Sequence, residues 1–338
     1  MRMSVVDAGS HTVRLTVVDT EAGAPLPVHT AKRRLRLAQL VGPDGTIGPE
    51  AMDRLGDAVA SAREEALKQG SGEPSAFATA VVRDAPNCVE VLDEVRQTSG
   101  VPLHVLPGEV EAEVTFLAAR RWMGWRSGPL LVLDIGGGSL EVAFGRGRLA
   151  DFALSLPLGA DRLTRAHLHG QDPPAPADLK ALRRLIRHEL RDVAERVRWE
   201  APRTTVATSR TFTQLARLCG AAAGHQGPFV RRELLRKDLR HAVHRLAELP
   251  ADERAGLPGI SRPRANQSLA GALVGHTAMK RMGIRRLTVC PWAVREGILL
   301  RRIEEGDDWW DALAPAAGPD RQEVRSLHLA GRHLTSSR

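Results

Sequence analysis

The sequence contains no tyrosine, and phenylalanine and tryptophan together supply only 4% of its 338 residues. Any core must therefore be built from leucine, valine, alanine and isoleucine. Cysteine is almost as scarce. Cys88, Cys219 and Cys290 stand far apart, with no CxxC pair and no His/Cys cluster. That pattern excludes a standard zinc site and a disulfide framework, and a reducing cytoplasm is the expected compartment. No apolar run approaches the length needed to cross a membrane. The chain opens into a strand-like segment, Met3 to Val6, without the apolar stretch of a signal peptide.

Acidic residues are also in deficit. The 40 Asp and Glu face 48 Lys and Arg, a formal net charge of +8. A basic surface steers polyanions toward itself, and arginine suits bidentate phosphate contact. Phosphate polymers, nucleotides and nucleic acid all carry the required charge, while a compositional bias toward arginine would give the same total. The arginine-rich segment Ala177 to Trp199 carries Leu182, Leu185, Ile186, Leu190 and Val193 at core spacing. Its charges fit a solvated helix face, so no specific nucleic-acid partner is expected.

What the sequence does contain is a globular composition, 43% hydrophobic and 26% charged, long enough for two domains. Ser4 to Val6 reads as a short strand running into Asp7-Ala8-Gly9-Ser10, and Val13 to Val18 and Pro25 to Leu37 continue as extended segments. Leu130 to Leu133 is a second apolar strand, running into Asp134-Ile135-Gly136-Gly137-Gly138-Ser139, and Glu141 to Phe144 and Leu149 to Leu156 follow. This is a duplication: strand, Asp, glycine turn, meander, twice. Further along each copy, helices are expected over Pro49–Gln69, Pro86–Gln97, 109–122, 177–199, after Thr211, and over 232–246, 264–282 and 291–303. Strands are expected over 76–82, 102–106, 204–208 and 286–289. The division is residues 1–124, residues 125–305, and a charge-rich tail over 306–338 expected to be poorly ordered.

A strand ending in Asp-x-Gly-Ser sets a carboxylate beside free backbone N–H groups. Such a turn forms an anion-binding concavity, and glycine lets a phosphate approach the backbone. The carboxylate cannot bind phosphate itself. It suits a divalent cation, held through water, that bridges to phosphate oxygens. One Asp-x-Gly turn is an ordinary hairpin; two that face each other would clamp a phosphate chain.

The two segments Asp7-Ala8-Gly9-Ser10-His11-Thr12-Val13-Arg14-Leu15 and Asp134-Ile135-Gly136-Gly137-Gly138-Ser139-Leu140-Glu141 resemble the phosphate motifs of the exopolyphosphatase/guanosine pentaphosphate phosphohydrolase (Ppx/GppA) family. Ala78 to Asn87, Pro107 to Ala112, Leu156 to Ala160, Ala207 to Phe212 and Arg295-Glu296-Gly297 resemble further family segments, in the same order. The resemblance spans residues 3 to about 304 and is to the family's short branch.

That resemblance implies an α/β fold of two actin-like, ribonuclease-H-like domains with an active cleft between them. It implies an exopolyphosphatase, with guanosine pentaphosphate phosphohydrolase or a non-catalytic polyphosphate or alarmone sensor as alternatives. Glu111 is then the catalytic base and Arg83 the stabiliser of charge on the scissile group. Gly9, Ser10, Gly136, Gly137, Gly138 and Ser139 cradle phosphate; Asp7, Asp134 and Glu141 hold Mg2+. Arg36, Arg264 and Arg295 are candidate contacts further along the substrate, and a homodimer is expected although no heptad seam marks one. Taken alone, Glu109, Glu111 and Glu113 would equally suit the positive end of a helix. His11 has no metal-ligand partner at useful spacing and reads as a loop residue. The chain departs from the family at His11, Val110, Arg210 and Asn266, where Asn, Glu, Gly and Asp are usual. Val110 is expected to remove one cleft carboxylate, and Arg210 to add a phosphate contact or narrow the channel.

Overall fold

The computed structural model describes residues 2–22, 25–35, 37–42, 44–311 and 313. In the first half β1 (Arg2–Ala8), β2 (Thr12–Asp19) and β3 (Pro27–Arg34) form an antiparallel meander. A helical turn α1 (Leu37–Leu40), helix α2 (Pro49–Lys68), β4 (Ser75–Ala78), α3 (Ala80–Arg83), α4 (Cys88–Ser99), β5 (Leu103–Val105) and α5 (Gly108–Met123) follow. β4 and β5 join β1 in parallel, giving the order β3-β2-β1-β4-β5.

The second half repeats the plan with β6 (Leu130–Ile135), β7 (Leu140–Gly145) and β8 (Phe152–Leu156). Helices α6 (Ala160–His167), α7 (Pro176–Glu189) and α8 (Arg191–Glu200) lead to β9 (Thr204–Thr208) and α9 (Ser209–Leu218). Next come β10 (Glu233–Leu235), α10 (Arg236–Glu248), α11 (Ala251–Arg254), α12 (Ser268–Arg281), β11 (Arg286–Val289), α13 (Val294–Glu305) and α14 (Asp308–Asp311). The sheet order, β10-β11-β9-β6-β7-β8, is the first sheet's order with one strand added at the edge. The duplication is thus a duplication of topology: meander, then parallel strands reached by crossover helices.

Apolar alternation and helix punctuation account for most elements. α2 begins with Pro49 at its first position, after Gly48, and packs Met52, Leu55, Ala58 and Val59 inward. α4 ends at Gly100, which takes the left-handed φ of 69°. The expected strand 76–82 stops at Ala78. The Thr79 carbonyl accepts the Val82 and Arg83 N–H groups, so the chain turns helical there. The single helix expected over 177–199 is broken at Leu190, and the helix expected from residue 232 starts with strand β10, which pairs with β11.

Two helices join the halves. α5 packs Val110 and Val114 toward Val5 and Phe77, and Ala112 and Phe116 toward Leu130 and Val132. α13 returns from the second sheet to pack Ile298 and Leu299 in the first of these clusters. Val110 is therefore a core residue, 5% exposed, and not a cleft position. On a helix, residues 110 and 114 share one face, and residue 111 turns away from it. The expected tail is also partly structured. Asp308–Asp311 is helical, with Trp310 buried and its ring 4.7 Å from that of His104. Residues 314–338 lie outside the described residues. No helix among the described residues is long and apolar enough to cross a membrane.

Candidate active site

The two glycine turns meet. β1 carries Asp7 into Gly9-Ser10, and β6 carries Asp134 into Gly136-Gly137-Gly138. A Cβ built on Gly137 would lie 2.5 Å from Ser10 Oγ, and one on Gly138 would lie 2.5 Å from the Ala80 Cβ. None of these three glycines takes a left-handed φ. The missing side chains of Gly137 and Gly138 serve the close approach of the two halves rather than turn geometry. Behind them, a Cβ on Gly159 would fall 2.1 Å from the Gly138 carbonyl carbon.

The carbonyls of the second turn are occupied. Gly136 O accepts Ala160 N–H at 3.0 Å, and Gly137 O accepts Asp161 and Arg162 N–H at 3.0 Å, from the first turn of α6. Among the described residues, the N–H groups of Ser10, Gly137, Gly138 and Ser139 donate to no backbone carbonyl. N–H groups without a backbone acceptor favour negative charge, so this arrangement could receive an anion.

Strand register gathers the acidic residues. Asp134 lies opposite Glu141 on one side and Thr208 on the other, and Glu141 lies opposite Ser155. Directly opposed residues share a sheet face. Thr208 Oγ1 donates to Asp134 and Ser155 Oγ donates to Glu141 at 2.9 Å. On the first sheet Asp7 lies opposite Arg14, and Arg295 from α13 brings Nη1 to 3.6 Å from its carboxylate. Glu111, in the first turn of α5, accepts Arg83 Nη1 at 3.2 Å, and the same nitrogen donates to Leu106 O at 3.0 Å.

Burial and like charge push these acids upward. Glu111 rises to about 7, chiefly by desolvation, with Arg83 opposing and Asp134 and Asp7 adding to the rise. Asp134 rises to about 6 by desolvation, Thr208 opposing and Asp7 reinforcing. Glu141 is raised well above its ordinary value by desolvation, then by Glu111 and Asp134. Asp7 is raised by burial against the pull of Arg295 and Arg14. The carboxylates thus share one electrostatic field.

No group of three His, Cys, Asp or Glu side chains among the described residues is close enough to enclose a metal ion. The donor set therefore does not suit a fully dehydrated ion. It does suit a hydrated divalent cation such as Mg2+, which keeps several waters and takes one or two carboxylates plus substrate oxygens. The mutual upward shifts are the observation behind this fit, because a nearby dication would relieve them.

His11 lies in the turn between β1 and β2, as expected, but it is buried there. It is 7% exposed, its Nε2 lies 2.9 Å from Gln267 Nε2 across the halves, and burial and Arg264 lower its pKa to about 4. Asn266 is exposed, and Arg36 lies outside the described residues. Thr208, Ser155 and Glu296 were absent from the sequence expectations as site residues. Glu296 is buried and accepts Ala293 N–H at 2.8 Å, fixing the start of α13 beside Asp7. Cross-strand register alone brings Thr208 and Ser155 to the site, and no local pattern signals that.

Two sheets of shared topology, with phosphate-type turns meeting between them, define the actin-like class of phosphoryl-handling folds. Residues 16–305 match the model of the Ppx/GppA phosphatase family, and the chain belongs to that family. It is 44% identical over 310 residues to Exopolyphosphatase 1 of Mycobacterium tuberculosis, covering 91% of this chain and 90% of the relative. It is 65% identical over 325 residues to an uncharacterized Streptomyces coelicolor protein, covering 94% and 97%. The crystal structure of the Aquifex aeolicus member of the family superposes with a TM-score of 0.75 at 25% identity, over 90% of this chain and 98% of that one. The protein is a hydrolase of this phosphatase family.

Proposed function

We propose that the protein is an exopolyphosphatase that releases terminal orthophosphate from inorganic polyphosphate. The observation that carries this reading is Glu111, a buried carboxylate whose pKa sits at about 7, held by Arg83 beside the two meeting glycine turns. A carboxyl poised near neutral pH is matched to proton transfer. The similarity to a protein named Exopolyphosphatase 1 supports polyphosphate as the substrate.

The terminal phosphoryl sits in the concavity of Ser10, Gly137, Gly138 and Ser139 N–H groups, with Gly9 and Gly136 keeping the backbone close. Glu111 orients a water and takes its proton as the water oxygen bonds to the terminal phosphorus. The bond from that phosphorus to the bridging oxygen breaks, and the shortened chain leaves with the electron pair. Arg83 both holds Glu111 and offers positive charge to the equatorial oxygens. Asp7, Asp134 and Glu141 would hold a hydrated divalent cation, which neutralises phosphate charge when bound. Thr208 and Ser155 fix the orientation of the last two carboxylates.

The test is orthophosphate release from polyphosphates of defined length and, separately, from guanosine pentaphosphate, with and without Mg2+. Mg2+-dependent release from polyphosphate, lost in Glu111→Gln, is expected. Release from guanosine pentaphosphate alone would replace the substrate. Tight polyphosphate binding without release would replace the enzyme by a sensor.

A further inference from the structure

Arg83, which touches Glu111, is itself held from the other half of the molecule. Its Nη1 donates to Leu106 O at 3.0 Å and to Glu111 at 3.2 Å, and its Nε donates to Asp84 Oδ1 at 3.3 Å. The second oxygen of Asp84 accepts Arg162 Nη1 at 2.8 Å. Arg162 stands in the first turn of α6, on the second half and 78 positions further along the chain. Its backbone N–H donates to Gly137 O at 3.0 Å. A continuous line of contacts therefore runs from the second glycine turn through Arg162, Asp84 and Arg83 to Glu111.

The backbone on both sides of this line is fixed. Asp84 N–H donates to Ala80 O at 3.0 Å, closing α3, and Gly138 packs against that same Ala80. Among the described residues Asp84 pairs only with Arg83 and Arg162, and Arg162 pairs only with Asp84. Both side chains are exposed, Arg162 at 46% and Asp84 at 41%, and an exposed ion pair contributes little to stability. What the pair contributes here is geometry. A guanidinium is a planar fork, and holding Nε as well as Nη1 fixes the plane of that fork. Arg83 Nη2 makes no hydrogen bond among the described residues, so it is the free donor of a fixed group.

We propose that Asp84 and Arg162 are positioning residues for the reaction, and that their ion pair across the halves holds Arg83, and through it Glu111, in register with the second glycine turn. This rests on the exopolyphosphatase reading. Arg162 is suited to the task because its backbone is bonded to the turn that receives phosphate, while its side chain grips the first half. Asp84 passes that grip to Arg83 Nε. Without Arg162 the Asp84 carboxylate is free to rotate away from Nε, and without Asp84 the Arg83 fork turns about its remaining contacts. Either loss misplaces the charge meant for the equatorial oxygens and the base that it steadies.

Asp84→Ala, Arg162→Ala, Arg162→Lys and the double alanine variant are compared with the wild type on polyphosphate. Asp84→Ala should lower kcat by about tenfold and Arg162→Ala by about threefold, each with less than about a twofold change in KM. The double variant should be no slower than Asp84→Ala, because Arg162 acts through Asp84. Arg162→Lys should recover part of the loss, and melting temperatures should move by no more than about 2 °C. Two charges that merely acted on an incoming polyanion would behave otherwise: losing the acid would lower KM, losing the base would raise it, and kcat would stand. Opposite KM shifts at constant kcat, or wild-type kinetics in both single variants, overturn the proposal while the hydrolase stands. If the wild type releases no phosphate, the hydrolase reading fails and a crystal structure of Asp84→Ala decides. Loss of the contact from Arg83 to Glu111 supports the positioning role, and its retention overturns it.

Discussion

Gly137 and Ser10 approach across the two halves so closely that a Cβ on Gly137 would stand 2.5 Å from Ser10 Oγ and 3.1 Å from Ser10 Cβ. Real Cβ atoms do not tolerate the first distance, and rotating the hydroxyl away leaves the second still tight. Gly137→Ala should therefore wedge the turns apart. Overpacking of this kind costs about 1–3 kcal/mol, and misplacing the reacting groups should lower kcat/KM on the order of a hundredfold. In Gly137→Ala/Ser10→Gly the obstructing side chain is gone, and melting temperature should return toward the wild type. A Gly137→Ala variant with unchanged melting and activity would show that the turns do not meet in this way.

The acidic site should make the metal-free protein less stable as pH rises. Glu111 has an ordinary value of 4.5 and a folded value of about 7. Between those values the native state binds more protons than the unfolded one, so stability declines with increasing pH across that window and is flat above it. The decline attached to Glu111 is on the order of 3 kcal/mol. Urea unfolding in chelator at pH 4.5 and pH 8, compared between wild type and Glu111→Gln, measures it, and the variant should lack this decline. Glu141→Gln, which keeps an acceptor for Ser155, should raise stability at pH 8 while lowering activity. Equal wild-type stability at both pH values, with no gain in either variant, would mean that these carboxylates are solvated.

His11 should impose the opposite slope. Its folded pKa of about 4 lies below the ordinary 6.5. Between those values the unfolded state binds the extra proton, so stability is lost as pH falls from about 6.5 to about 4. The two effects overlap, and single variants separate them. His11→Asn should remove the acid-side loss, on the order of 3 kcal/mol, and leave the Glu111 slope in place. An unchanged pH profile in His11→Asn would place the imidazole in solvent.

These two groups also show what the sequence could disclose. The glycine turns are local: an apolar strand, an Asp and a run of small residues lie side by side in the chain, so the duplicated motif was legible. Glu111 was singled out only through the resemblance of Pro107 to Ala112 to a family segment, since taken alone it suits the positive end of a helix. Thr208 and Ser155 carry no local mark, because they reach Asp134 and Glu141 only through the pairing of β9 with β6 and of β8 with β7. His11 does lie in the turn between β1 and β2, but its burial carried no local mark, since it packs against Gln267, 256 positions away. Val110 misled differently: the helix was expected, but which face met the cleft depended on how α5 lies between the sheets. The strand expected over 76–82 failed where β-branched Val81 and Val82 suggested extension, and backbone hydrogen bonds to the Thr79 carbonyl prevailed.

The crossing of α5 and α13 gives a final prediction, because it links the frame to the site. A Cβ on Gly297 would fall 1.9 Å from the Val114 carbonyl oxygen and 2.5 Å from its carbon. Both are backbone atoms, so no rotamer change relieves the contact, and the helices must separate. Gly297→Ala should cost about 3 kcal/mol or more, beyond the common range for overpacking because the obstacle is main chain. Arg295 lies two residues earlier on α13 with Nη1 3.6 Å from Asp7, and Glu296 fixes the helix start through Ala293 N–H. Displacing α13 therefore displaces the cation beside Asp7. The folded fraction of Gly297→Ala, measured by activity per native molecule at low temperature, should be impaired as well as scarce. Arg295→Ala, which leaves the crossing intact, should lose activity with little change in melting. If Gly297→Ala folds poorly but its native molecules turn over at the wild-type rate, α13 supports the fold without positioning the site.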